Sequence, residues 1–105
     1  MRLSGPAQYG PVFKNGQHTG GGGLTVLFVK NTVGYPRLGL AIAKKHIKLA
    51  TDRNKVKRII RASFQGHQSD LGSVDVVVLS RKDITKRTAT QLHAALQKHW
   101  LVVAQ

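Results

Sequence analysis

The sequence predicts an α+β fold: a mixed sheet with helices on one side, in the order helix, two or three strands, helix, strand, helix. Three observations carry this. At 105 residues the chain has room for one core and no second independent one. Short β-type runs alternate with stretches whose apolar residues recur at helical spacing. An apolar share of 41% fits a folded body rather than a disordered basic tail. One domain spanning 1–105 is expected, with a flexible glycine-rich loop over about 17–23.

In residues 2–16, Tyr9, Val12 and Phe13 share one face of a short helix. Pro6 is acceptable near its start, whereas Pro11 would remove a backbone hydrogen bond, so the helix is expected to kink or begin late. Gly20 to Gly23 reads as a loop. It is no phosphate loop, because no Gly-Lys-Ser/Thr ending follows and the next residues are strand-like.

Leu24 to Lys30 and Leu38 to Lys44 are β-type runs separated by N-T-V-G-Y-P-R, and they are expected to pair as an antiparallel hairpin. Phe28 shares a side with Leu24 and Val26, and Leu27 and Val29 share the other. Both sides are apolar, so alternation does not say which faces the core. Gly39, Ala41 and Ala43 give the second run a shallow face.

The chain is organised around Lys44 to Arg61, K-K-H-I-K-L-A-T-D-R-N-K-V-K-R-I-I-R, which carries eight of its 17 Lys and Arg residues against one acid, Asp52. A helix is expected here, capped by Thr51 or Asp52, with Val56, Ile59, Ile60 and Phe64 at i, i+3, i+4 and i+8. These four span roughly 140° of the cylinder, and Asn54, Lys57, Arg58 and Arg61 cluster within another roughly 100°. A merely solvated face interleaves Glu with Lys, and this sequence contains no Glu. The one-sided charge indicates a binding face.

Gly66 to Ser73 is a polar connection, and Val74 to Leu79 is the best candidate for a buried strand, with Asp75 at its outer side or start. Ser80 to Thr85 turns into a last helix where Leu92, Ala95, Leu96, Trp100 and Val103 repeat at helical spacing, which makes Trp100 a core residue.

A net charge of +13 points to a polyanion, and nucleic acid is the leading partner. No run approaches eighteen apolar residues and the first residues lack a signal-peptide pattern, so a cytoplasmic protein is expected rather than a membrane one. Without cysteine there are no disulfides or thiolate zinc sites. His18, His46, His67, His93 and His99 form no constellation with the four scattered aspartates and read as surface or helix-flank residues, so no catalytic or metal-binding residue is assigned.

Arg53-Asn54-Lys55-Val56-Lys57-Arg58-Ile59-Ile60-Arg61, followed by Phe64, resembles the signature helix of the protein component of bacterial ribonuclease P. Gly34 to Lys45, G-Y-P-R-L-G-L-A-I-A-K-K, is similar to the strand region that enters that helix, and V-D-V-V-V-L follows in the family's order. Lys55 stands where the family usually has arginine, and Ala62 where it usually has glutamate.

The resemblance implies a single-domain α/β sandwich with a central mixed four-stranded sheet, order α-β-β-β-α-β-α. It also implies a left-handed β-α-β crossover, against the general right-handed rule. It further implies a non-catalytic protein subunit of an endoribonuclease that removes the 5′ leader of precursor tRNA. The RNA subunit would hold most of the Mg2+ and perform the chemistry. On this reading Lys44, Lys45, Arg53, Asn54, Lys55, Lys57, Arg58 and Arg61 contact the backbone of the catalytic RNA, where their charge neutralises phosphates, and Tyr9, Phe13 and Phe28 receive the precursor leader. One protein per catalytic RNA is expected. A small basic ribosomal-type RNA-binding protein is the alternative, and a free-standing metal-independent nuclease a third reading.

Overall fold

The computed structural model describes residues 12–105. Tyr9, and the expectations attached to Pro6 and Pro11, lie outside the described residues. Residues 12–15 are helical (α1). Strands β1 (Gln17–Gly21), β2 (Leu24–Lys30) and β3 (Arg37–Ala41) follow, then helices α2 (Ala50–Gly66) and α3 (Gln68–Leu71). Strand β4 (Val74–Ser80), a 3-10 turn (Lys82–Lys86) and helix α4 (Ala89–Val103) complete the chain.

The four strands lie in the order β1-β2-β4-β3. β4 is inserted between the two runs expected to pair, antiparallel to β2 and parallel to β3, so the predicted hairpin does not form. The physical reason lies in β4 itself. Val76, Val77 and Val78 are fully buried, which requires cover on both faces and a hydrogen-bonded neighbour on each edge. β3 also stops at Ala41, short of Lys44, because the Ala43 N–H turns to the Ser80 hydroxyl and the Ala43 carbonyl accepts the N–H groups of His46 and Ile47.

The hairpin that does form joins β1 to β2, and the loop expected over 17–23 contracts to Gly22 and Gly23. Their φ values of 65° and 84° are those that a tight two-residue turn demands and that side chains resist. β1 has no apolar face of its own. It is tied to α4 by His99, whose Nε2–H donates to the Gly21 carbonyl at 3.0 Å and whose Nδ1 lies 3.2 Å from the Thr19 hydroxyl. His99 is thus buried, not a surface residue.

One face of the sheet meets α2 and α4 and holds the main core: Leu24, Val26, Leu38, Val74, Val76 and Val78 pack against Val56, Ile60, Phe64, Leu92, Leu96 and Trp100. Trp100 is core, as expected. Its indole N–H donates to Ser63 of α2 at 2.8 Å, and its ring meets Phe64 edge-on with centroids 5.8 Å apart. The opposite face carries a smaller cluster, in which Val12 of α1 packs on Val77 with Leu27, Val29 and Leu79 half-buried around it.

Asp75 lies on this second face by register with Arg37, and it is buried rather than outward-facing. Its carboxylate accepts from Arg37 Nε at 2.7 Å, Arg37 Nη2 at 2.8 Å and the Asn31 side-chain amide at 2.8 Å. The hydrogen bond to Asp75 is the main cause that raises the Arg37 guanidinium above its ordinary pKa. α2 begins at Ala50 with no side-chain cap, two or three residues earlier than a Thr51 or Asp52 cap would start it. α4 does have one: Thr88 and Gln91 form a reciprocal capping box.

Candidate nucleic-acid interface

Two surfaces are built on this frame. The first is α2, anchored to the core by Val56, Ile60 and Phe64, with Ile59 half-buried as expected of the edge of the apolar stripe. Asn54, Lys55 and Arg58 are exposed, and Lys57 and Arg61 are half-buried along the flank. Among the described residues the ion pairs are Arg37–Asp75 and Arg87–Asp83, so no acid caps a cation of α2. Lys44 and Lys45 are exposed in the turn that leads from β3 towards this helix.

Arg53 differs from its neighbours. Its Nη1 donates to the carbonyls of Ile47 and Lys48, both at 2.9 Å, and fastens the connecting loop to the first turn of α2. At 100° per residue Arg53 falls beside Ile60 on the packed side of the helix, which is why it turns into the fold. Nη1 is committed to these carbonyls, while the rest of the planar fork keeps N–H groups with which to meet a phosphate.

The second surface is the sheet face that carries α1. Phe13, 52% exposed, stands beside Val12 at its rim. The floor is formed by Thr25, Leu27, Leu79 and Ala41, which register and alternation place on one side. Phe28 does not belong to it. By the same alternation Phe28 packs against the α2–α4 core, on the face of the sheet opposite to Val12.

The same pattern brings in a residue that the sequence reading left out. Arg81 continues the alternation of Asp75, Val77 and Leu79 onto this face, is exposed, and lies so close over Gly20 that a Cβ there would come within 2.8 Å of its Nη1. Arg37 stands at the other end of the face with its charge matched by Asp75. Extending the inward-outward alternation of V-D-V-V-V-L-S by one residue would have found Arg81.

Among the described residues no three His, Cys, Asp or Glu side chains gather where they could hold a metal ion. Asp75, the one buried carboxylate, has its oxygens engaged by Arg37 and Asn31. These donors do not fit a magnesium site of the protein's own. No described helix is long and apolar enough to cross a membrane.

Comparison with known proteins gives one consistent result. A family profile described as Ribonuclease P matches residues 1–103. The ribonuclease P protein component of Methylococcus capsulatus is 40% identical over 104 residues, covering 99% of this chain and 81% of the relative. That of Pectobacterium atrosepticum is 42% identical over 100 residues, covering 95% and 84%. Among solved structures, the RNase P protein of Staphylococcus aureus superimposes with a TM-score of 0.89 at 27% identity, covering 96% of this chain and 93% of that one. The RNase P protein of Thermotoga maritima does so with a TM-score of 0.82 at 28% identity, covering 100% and 97%.

Proposed function

The chain belongs to the ribonuclease P protein family, and from that premise we propose how its two surfaces divide the work of maturing the tRNA 5′ end. The α2 ridge, with Lys44 and Lys45 beside it, binds the backbone of the catalytic RNA. Arg53, Asn54, Lys55, Lys57, Arg58 and Arg61 supply the contacts, and the charges among them release condensed counterions on binding. Phe13 and the sheet face beside it receive the single-stranded leader of precursor tRNA, with Arg81 offering a cation to its phosphates. Tyr9 is assigned to the same task by its place in the sequence, and Phe28 contributes by supporting the sheet from behind.

The observation that carries this reading is a helix fixed rigidly to the core on one side and left without a single acid partner on the other. Phosphates crowded together by a folded RNA and its substrate repel one another. Cations carried on one preformed helix lower that repulsion without the backbone having to order at the moment of binding. Magnesium, which would activate water and stabilise the departing oxygen, is assigned to the RNA. We place the complex in the cytoplasm, with one protein per catalytic RNA. A ribosomal-type binding protein would share the charge, but the family model that matches residues 1–103 is that of ribonuclease P.

Reconstitution tests the proposal. The purified chain, mixed with bacterial ribonuclease P RNA and precursor tRNA at low magnesium, is expected to stimulate leader removal that depends on the RNA. Cleavage by the protein alone, or no effect on the RNA, would refute it.

A further inference from the structure

The turn that carries Lys44 and Lys45 also holds a histidine in a fixed pose that none of the roles above uses. His46 Nδ1 lies 2.8 Å from the Ser80 hydroxyl oxygen, and the same oxygen accepts the Ala43 N–H at 2.9 Å. Ser80 has one hydroxyl proton, and Nδ1 is the partner within its reach. With the Ser80 hydroxyl donating to Nδ1, the ring carries its proton on Nε2, the atom left open to an outside partner.

Both ends of this arrangement are anchored. Ser80 is the last residue of β4 and only 8% exposed, so the hydroxyl is part of the sheet. The backbone N–H of His46 donates to the Ala43 carbonyl at 3.1 Å, which fixes the turn. Arg53 holds the next two carbonyls, so the pose of the ring is coupled to the first turn of α2. Nε2 has no partner among the described residues, and the ring is half-buried in a segment whose Lys44, Lys45 and Lys48 are exposed.

Resting on the reading above, we propose that His46 Nε2–H is a directional hydrogen-bond donor to a phosphodiester oxygen of RNA. The lysines around it are charges on flexible stems and attract a backbone without fixing its register. A ring locked by Ser80 supplies one donor of defined direction inside that field, and phosphate contacts of this kind position a nucleic acid. A donor of this kind on an uncharged ring adds affinity without releasing a counterion, and the salt slope reads that directly.

That difference makes the proposal testable on the full chain with ribonuclease P RNA. His46→Ala is expected to weaken binding about ten- to 150-fold, the range for one hydrogen bond to a charged group, with the slope of log affinity against log salt unchanged. Lys44→Ala, as reference, is expected to lower the magnitude of that slope by about 0.7 to 0.9. His46→Gln, whose amide reaches a similar point with a donor, should restore most of the loss. Ser80→Ala should reproduce part of it while the ring 15N shifts of His46 report a mixture of tautomers.

A loss in binding to the catalytic RNA alone places the acceptor there, and a loss appearing only when precursor tRNA joins places it on the substrate. Unchanged affinity in both assays, a reduced salt slope in His46→Ala, or no rescue by glutamine would overturn the proposal. If Lys44→Ala and Arg58→Ala also leave binding intact, it is the assignment of this surface to RNA that fails, and the two failures are thereby told apart.

Discussion

Replacing Arg58 and Arg61 together by alanine removes two guanidinium charges from the flank of α2 while leaving the buried side of the helix, Val56, Ile60 and Phe64, as it was. Neither arginine forms an ion pair in the protein, so the folded state loses no partner. Thermal stability is expected to change by less than about 0.5 kcal/mol. If each neutralises one phosphate, the slope of log affinity against log salt should fall in magnitude by about 1.4 to 1.8. Between about 50 and about 200 mM salt, the ratio of wild-type to variant affinity then shrinks about tenfold.

Filter binding or fluorescence titration with ribonuclease P RNA over that range reads the slope directly. Arg53→Ala provides the contrast. It breaks two carbonyl contacts and should cost about 1–2 kcal/mol of stability along with RNA affinity. An unchanged slope in the double variant, with Arg53→Ala as stable as wild type, would refute the division between a contact row and a loop clamp.

Phe13→Ala should weaken precursor tRNA binding more than mature tRNA binding in the reconstituted complex; equal losses would mean that Phe13 only packs. Gly22→Ala places a methyl 2.3 Å from the Ala95 Cβ at a φ of 65°, and should cost at least about 1–3 kcal/mol, read as a Tm lower by several degrees. Arg87, hydrogen-bonded to Asp83 at 2.9 Å, holds that carboxyl below its usual range. The stabilising contribution is therefore present above the unfolded carboxylate pKa and lost as pH falls through the lowered folded value. Asp83→Asn should remove a small stability difference at pH 7 that is already absent in wild type below both values, as urea unfolding at the two pH values will show.

The helices were legible because their apolar spacing is long and regular: Val56, Ile60 and Phe64 in α2, and Leu92, Leu96, Trp100 and Val103 in α4, bury as the periodicity predicts. The sheet was legible in composition but not in pairing. Proximity in sequence favoured joining β2 to β3, whereas the doubly buried β4 takes both as partners. β1 was hidden because Q-H-T-G-G has no alternation to read; its structure comes from backbone pairing and from His99.

The site shows the same split. The charge of α2 was visible because sign and spacing coincide, but the inward turn of Arg53 depends on carbonyls that only the folded loop presents. Phe28 was misplaced because both sides of β2 are apolar. What decides between them is the pair of helices packed on one side, which is a property of the whole fold.

Trp100 is the sole tryptophan, and its indole N–H ends on Ser63, one residue before Phe64 on the very helix whose other side carries the cations. Nature has thus wired an intrinsic fluorophore to the back of the binding helix, out of reach of solvent and of any bound phosphate. Its emission should stay nearly constant when RNA docks on intact protein and shift red when the α2–α4 seam opens, so a single untagged optical signal separates loss of binding from loss of structure in every variant above.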